Sequence, residues 1–185
     1  RSGRIPDRGE KAEPGTDPKE VVIGISPAFG LKIFRTLAGH PLSAILQALT
    51  AGIRAKGCKP RIVRLHHTAD TSFLGLSAAR LAGSGVAIGI QAKGTAVIHQ
   101  RDRLPHHNLE LFSNAPITKL EHYRRLAENA AAYALGEAPE PVVVTVLDGQ
   151  PDLNDHRRVL EKPDGVLLRF GDDVWLIRDG RRSRV

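Results

Sequence analysis

Lys93 stands between Gln91 and Gly94, followed by Thr95, at the end of an apolar run. An ammonium, a hydroxyl and exposed backbone N–H groups in such a turn can converge on an anion. A solvated turn lysine is the alternative, and these residues alone leave both open. The eight histidines raise metal or acid–base chemistry, above all His66-His67, His106-His107 and nearby His99. Neighbours on a strand point to opposite faces, and neither a cysteine cluster nor a helical His-x3-His spacing accompanies them, so structural or solvated roles are expected and no metal site. Glu137 and Glu140 lie beside prolines, and Asp152 and Asp155 lie in a loop, so no pair of catalytic carboxylates stands out. The segment Gly83-Ser84-Gly85-Val86-Ala87-Ile88-Gly89 matches a dinucleotide fingerprint loosely. Its third glycine is one place late and it leads into a strand, which favours a packing or turn role over phosphate binding. Neither a G-x-S-x-G elbow nor a Walker loop is present. Nothing nominates the chain as a self-contained enzyme.

The elements that must position Lys93 follow from periodicity. Glu20 to Ser26 is a branched apolar run suited to a buried parallel strand. From Pro41 to Lys56, Leu42, Ile45, Leu46, Leu49 and Ile53 recur at helical spacing, with Gly57 as the stop. Residues 60–65 form a second strand, and Asp70 or Thr71 can cap a helix running toward Gly83. Residues 86–90 and 95–99 are two further strands around the break at 91–94. Thr118 and Glu121 have capping-box spacing before a helix from Lys119 to Leu135. Pro141 to Leu147 is a β-branched strand, and 166–170 with 174–178 form a hairpin around Gly171-Asp172-Asp173. This alternation predicts an α/β fold, a Rossmann-like, mostly parallel sheet flanked by helices, with a C-terminal β-hairpin. Ligands of such sheets bind beyond the carboxyl ends of the strands, which directs attention to 26–31, 66–71, 91–95 and the stretch after His99.

Composition narrows the partners. The length of 185 residues suits one domain, expected over 20–185 behind a flexible or surface-lying lead-in, 1–19. A single cysteine, Cys58, permits no internal disulfide and suits a reducing cytoplasm. The polar N-terminus and the lack of a long apolar run lead to the expectation of a soluble, cytoplasmic protein with neither signal peptide nor membrane span. A formal charge of +7, much of it near the ends, fits solvated tails or an anionic partner. Aromatics make up 4% of the chain, too few to stack bases along a strand, so nucleic acid is not an expected partner. From charge alone, a salt-sensitive polyanion-binding module remains an alternative.

Three segments carry more information together: VVIGISPAFG (21–30), LAGSGVAIGIQAKGTAVIHQ (81–100) and NLELFSNAPITKLEHYRRLAENAAAYA (108–134). They resemble the medium (beta) subunit of adenosylcobalamin-dependent diol and glycerol dehydratases, over roughly residues 14–142. The resemblance implies a Rossmann-like subunit covering the lower, nucleotide side of coenzyme B12, bound base-on. The large subunit then carries the substrate and the radical dehydration to an aldehyde. It further implies large, medium and small subunits, two copies of each, and a reactivating factor as a further partner. The chain lacks the D-x-H-x-x-G motif of base-off enzymes; Asp155-His156 does not fit that spacing. Carried over by position, Asp70, Lys93, Thr95, Asn108 and Ser113 match cofactor-lining positions, and Arg157 is a weaker match near the nucleotide tail. A cap or turn role is the alternative at each, most of all at Asp70. After about residue 142 the sequence diverges, and the N-terminus lacks the amphipathic extension that sends some relatives to microcompartments, so encapsulation is not expected. The small chaperone subunit of the reactivating factor shares the fold and is the main alternative.

Overall fold

A computed structural model describes residues 4–7, 9–113, 115–147, 150–151, 166–170, 173–178 and 181–184, with side chains described up to residue 144. By its contacts the chain divides into two compact units, 1–142 and 143–185. The first contains β1 (Glu20–Ile25), α1 (Leu42–Ala55), β2 (Lys59–Arg64), α2 (Thr71–Leu81), β3 (Val86–Ile90), β4 (Ala96–Gln100), β5 (Glu110–Phe112) and α3 (Leu120–Ala134). Their five strands form one sheet in the order β2-β1-β3-β4-β5. β2, β1 and β3 run parallel, in register at Ile23↔Ile62 and Ile23↔Ile88, whereas β4 and β5 are antiparallel additions. The fold class is therefore as expected, with a mixed sheet. The connection from β3 to β4 is too short for the crossover a parallel strand needs, so β4 must turn back.

The burial pattern explains the near-continuous apolar strands. Val21, Val22, Ile23, Ile88, Ile98 and Leu49 are fully buried, because helices cover both faces of the sheet. α1 and α3 pack together on one face, and α2 lies across β1, β3 and β4 on the other. In the loose glycine fingerprint, Gly89 belongs to β3, and a Cβ there would strike the backbone of Gly75 in α2. That glycine serves close helix–strand packing, as its spacing implied.

α3 begins one residue later than the capping box at Thr118 and Glu121 implies. Lys119 occupies the extended N-cap position, and its amide donates to His122 Nδ1 at 3.0 Å. Thr118 is instead turned inward and buried, where it hydrogen-bonds Tyr123; the buried phenol outcompetes the cap for that hydroxyl. Partial burial, aided by Lys119 and Arg125 and opposed by Glu121, holds His122 below its ordinary value of 6.5. The unfolded chain thus binds this proton more readily. The stabilisation from neutral His122 is full above 6.5 and erodes as pH falls through 6.5 toward the lower folded value. Melting temperature is expected to drop between about pH 7.5 and about pH 5.5, by an amount reflecting about 1 kcal/mol or less, the scale of one helix cap. In His122→Gln this acid-side drop shrinks; an unchanged pH profile would remove His122 as its source.

In the second unit, β6 (Thr145–Leu147) pairs with β7 (Gln150–Pro151), so the predicted strand from Pro141 starts later than its composition suggests. The expected hairpin is present as β8 (Val166–Phe170) and β9 (Asp173–Arg178), extended by β10 (Arg181–Arg184) into a three-stranded antiparallel sheet. Among the described residues, no helix is long and apolar enough to cross a membrane.

Candidate functional site

The carboxyl ends of β1, β2 and β3 meet at one edge of the sheet, and the turn from β3 to β4 lies there. Its conformation is fixed by hydrogen bonds: Gln91 N to Thr95 O at 2.9 Å and Gly94 N to Gln91 O at 3.0 Å. Lys93 at the tip is exposed, and Thr95 is half-buried. Neighbouring elements tether every part of this turn. The Gln91 amide donates to Ala69 O at 2.7 Å, tying it to the residue before Asp70. Ala92 N donates to the buried Ser26 hydroxyl at 3.2 Å, and Leu37 N donates to Lys93 O at 3.0 Å. Tyr123, fully buried on α3, donates its hydroxyl to Gly94 O at 2.7 Å. Burial pushes that phenol well above the usual tyrosine range.

Asp70 accepts from Phe73 N at 3.1 Å and is the N-cap of α2, the local role most natural to its type. An ionised carboxylate has acceptor capacity beyond one cap bond, and Asp70 is exposed. Half-buried Asn108 extends its amide nitrogen to Ser72 Oγ, at 3.5 Å, in the first turn of α2. Its Oδ1 is buried without a hydrogen-bond partner. Half-buried Ser113 follows β5, whose Phe112 pairs with Ala96 at the start of β4. Lys93, Thr95 and Ser113 thus lie at the carboxyl edge of the sheet, with Asp70 tied to it through its neighbour Ala69, whereas Asn108 precedes β5 and reaches the first turn of α2 through Ser72. Arg157 lies outside the described residues. Leu37, 60% exposed, and Phe73, 42% exposed, stand beside the turn and the cap as apolar surface.

Some groups that shape this edge gave little warning in sequence. Arg64, at the end of β2, donates to the carbonyls of Ser26, Pro27, Phe29 and Ile5, at 3.2, 3.2, 2.6 and 2.8 Å, fixing the 26–30 loop. Burial lowers its otherwise very high pKa, with Asp7 opposing. Tyr123 carried a usable signal: it lies on the same helical stripe as Leu126, Ala127 and Ala130, and a tyrosine on a core face needs a partner for its hydroxyl. Several described histidines have local partners. His99 is fully buried with its ring nitrogens against Pro105 O and the backbone of Gln100, His67 meets Ser77 Oγ, and His66 pairs with Asp7 at 3.0 Å. Among the described residues, no group of three or more His, Cys, Asp or Glu could hold a metal ion.

A groove of about 1230 Å³ lies elsewhere, between residues 5–15 and the stretch from Arg61 to His67, and none of the five candidates lines it.

A family described as dehydratase medium subunit matches residues 26–140. Two solved structures share the fold: a "Glycerol dehydratase reactivase" (TM-score 0.53, 19% identity, 65% of this chain and 95% of that one) and a "diol dehydratase-reactivating factor complexed with ADP and Mg2+" (TM-score 0.50, 16% identity, 64% and 94%). Curated relatives match shorter stretches. The "ESX-5 secretion system ATPase EccB5" of Mycobacterium marinum is 54% identical over 56 residues, 30% of this chain and 11% of that protein. Its Mycobacterium tuberculosis counterpart is 59% identical over 44 residues, 24% and 9%. The chain spans about a tenth of the length of these curated relatives. The dehydratase family model covers more than half of the chain and includes the β3–β4 turn, both Asn108 and Ser113, and the helix that carries Tyr123, so the chain belongs to the dehydratase medium subunit family.

Proposed function

We propose that the first unit is the cofactor-covering subunit of a coenzyme-B12-dependent diol or glycerol dehydratase, with the β3–β4 turn and its neighbours facing the lower side of adenosylcobalamin. The carrying observation is the grouping of Lys93, Thr95, Ser113 and Asp70 at the carboxyl edge of the sheet, with Asn108 against the first turn of α2, within a medium-subunit domain. Asn108 supplies the chemical fit: its buried, unpartnered Oδ1 is an acceptor, and the corrin ring carries peripheral carboxamides that donate N–H groups. Lys93 offers a charge-assisted donor to carbonyl or phosphate oxygens, and Thr95 and Ser113 offer hydroxyls. Asp70 keeps acceptor capacity beyond its cap. When bound, the cofactor supplies the organic radical chemistry; these residues bind and orient its periphery. Substrate, dehydration to an aldehyde and any metal ion are assigned to the large subunit, and Leu37 and Phe73 beside the turn are surface that a partner subunit would cover. The assembly inferred is two copies each of large, medium and small subunits, served by a reactivating factor, in the cytoplasm.

The domain reading is refined in the same proposal. The family match ends at residue 140 and the first compact unit at 142. We take 143–185 as a unit apart from the cofactor-binding domain, and Arg157, which lies in that stretch, as the weaker match among the candidate contacts. The fold neighbours, both reactivating proteins, keep the small chaperone subunit as the second reading.

Co-expression with candidate large and small subunits tests both. The complex is expected to retain adenosylcobalamin and to form aldehyde from a 1,2-diol; equal retention and turnover without this chain would refute the reading. Lys93→Ala is expected to weaken cofactor retention by about 1.5–3 kcal/mol, the worth of one charged hydrogen bond. Unchanged retention removes Lys93 from the site.

A further inference from the structure

The Lys93 turn has two backbone hydrogen bonds of its own, Gln91 N to Thr95 O and Gly94 N to Gln91 O, and is held from outside as well. Lys93 and Thr95 are one residue to either side of Gly94, whose φ of 111° belongs to a region that side-chain-bearing residues rarely adopt. Glycine reaches this conformation without strain but does not select it over its many others, so the neighbours of the turn help to choose it. Here the Tyr123 hydroxyl, delivered from α3 on the far side of the sheet edge, reaches Gly94 O at 2.7 Å, and the Ser26 hydroxyl accepts from Ala92 N at 3.2 Å. Both groups are buried, Tyr123 completely and Ser26 to 3% exposure. Neither reaches the exposed tip where Lys93 stands. Tyr123 is itself held by a hydrogen bond with Thr118, whose carbonyl meets His40 Nε2 at 2.9 Å, and by an edge contact with Phe112 at 6.2 Å between ring centroids. Its hydroxyl is therefore presented from a fixed point rather than from a mobile side chain.

We propose that Tyr123 is a positioning residue for cofactor binding, with Ser26 as its counterpart: the two hold the turn backbone as a clamp at Gly94 O and Ala92 N so that Lys93 and Thr95 meet the cofactor in one preset geometry. The inference rests on the functional reading above. Preorganisation of this kind raises affinity by removing the cost of ordering the turn on binding. Loss of the clamp therefore lowers affinity for the cofactor and leaves the chemistry in the large subunit untouched.

The test uses the complete three-subunit enzyme and measures kcat and the KM for adenosylcobalamin. Tyr123→Phe keeps the ring and its packing and removes only the hydroxyl. It is expected to raise that KM about tenfold, the equivalent of one buried hydrogen bond, with kcat unchanged. Ser26→Ala is expected to move KM in the same direction and serves if Tyr123→Phe lowers the yield of complex. A purely architectural tyrosine would lower thermal stability without this split. Combination with Lys93→Ala supplies the second readout: because Tyr123 acts through the turn, the double variant is expected to lose less than the product of the single effects. If Lys93→Ala raises KM and Tyr123→Phe and Ser26→Ala do not, the clamp is refuted and the functional reading survives. If the effects of Tyr123→Phe and Lys93→Ala multiply independently, Tyr123 acts elsewhere and the clamp is again refuted. If Lys93→Ala itself leaves KM unchanged, Lys93 leaves the site and the clamp, which acts through it, is refuted, while the functional reading stands or falls on the co-expression test.

Discussion

Gly94→Ala is expected to cost the assembled enzyme on the order of 100-fold in apparent affinity for adenosylcobalamin, the sum of two penalties. The first is conformational. At φ 111° a Cβ crowds its own backbone, at about 1–3 kcal/mol. The second is steric: that Cβ would stand 2.7 Å from the Tyr123 hydroxyl, 3.1 Å from Ala115 Cβ and 3.2 Å from Thr36 Cβ. Crowding a packed position in this way costs about 1–3 kcal/mol more. Tyr123 cannot swing aside, because it is fully buried, so the turn must move and carry Lys93 and Thr95 with it. The measurement is cofactor retention by the purified complex. A variant that folds, assembles and retains cofactor as the native enzyme does would show that the geometry of this turn is irrelevant to binding.

Glu110→Ala is expected to have the largest effect on stability. Glu110 is 5% exposed, and its carboxylate accepts from Asn129 Nδ2 at 2.8 Å, the Tyr133 hydroxyl at 3.2 Å and Val142 N at 3.1 Å. One side chain thus joins β5, α3 and the segment after α3. Truncation strips the acceptor from three donors, at about 1–3 kcal/mol for each donor left unsatisfied. The melting temperature is expected to fall by about 10 °C or more, read by circular dichroism. A loss below about 3 °C would mean that the donors find other acceptors and that the carboxylate is dispensable.

These two residues mark where sequence reasoning stopped. Gly94 lies inside a motif that drew attention, yet the reason for its identity is a tyrosine 29 positions away. Glu110 sits in NLELF, where an acidic residue between leucines reads as the polar face of a strand. Its partners lie 19, 23 and 32 residues further on, so nothing local announces that it points inward. β5 itself has three residues, too few to show an alternation. By contrast, α1 and α2 were legible to within a residue, because apolar spacing, the Asp70 cap and the glycine after α1 all agree. Sidedness of the sheet was only half legible. The branched residues of β3 and β4 announce burial on both faces, but direction is written in the length of the connection between them rather than in the strands. Of the candidate residues, Lys93 and Thr95 emerged from turn chemistry. Asn108 and Ser113 required the family resemblance, since an isolated asparagine or serine near a short strand has many ordinary roles.

The lead-in offers a last consequence. Ile5 gives its amide to Gly30 O and receives Arg64 on its carbonyl, while Glu13 O and Gly15 N are held by Arg61 and Leu81. The segment is therefore a bivalent ligand of its own domain. When one grip opens, the other keeps it at an effective concentration on the order of millimolar, so reattachment outruns escape. Two contacts that would each be transient alone become a durable hold, and releasing the segment requires both to open at once.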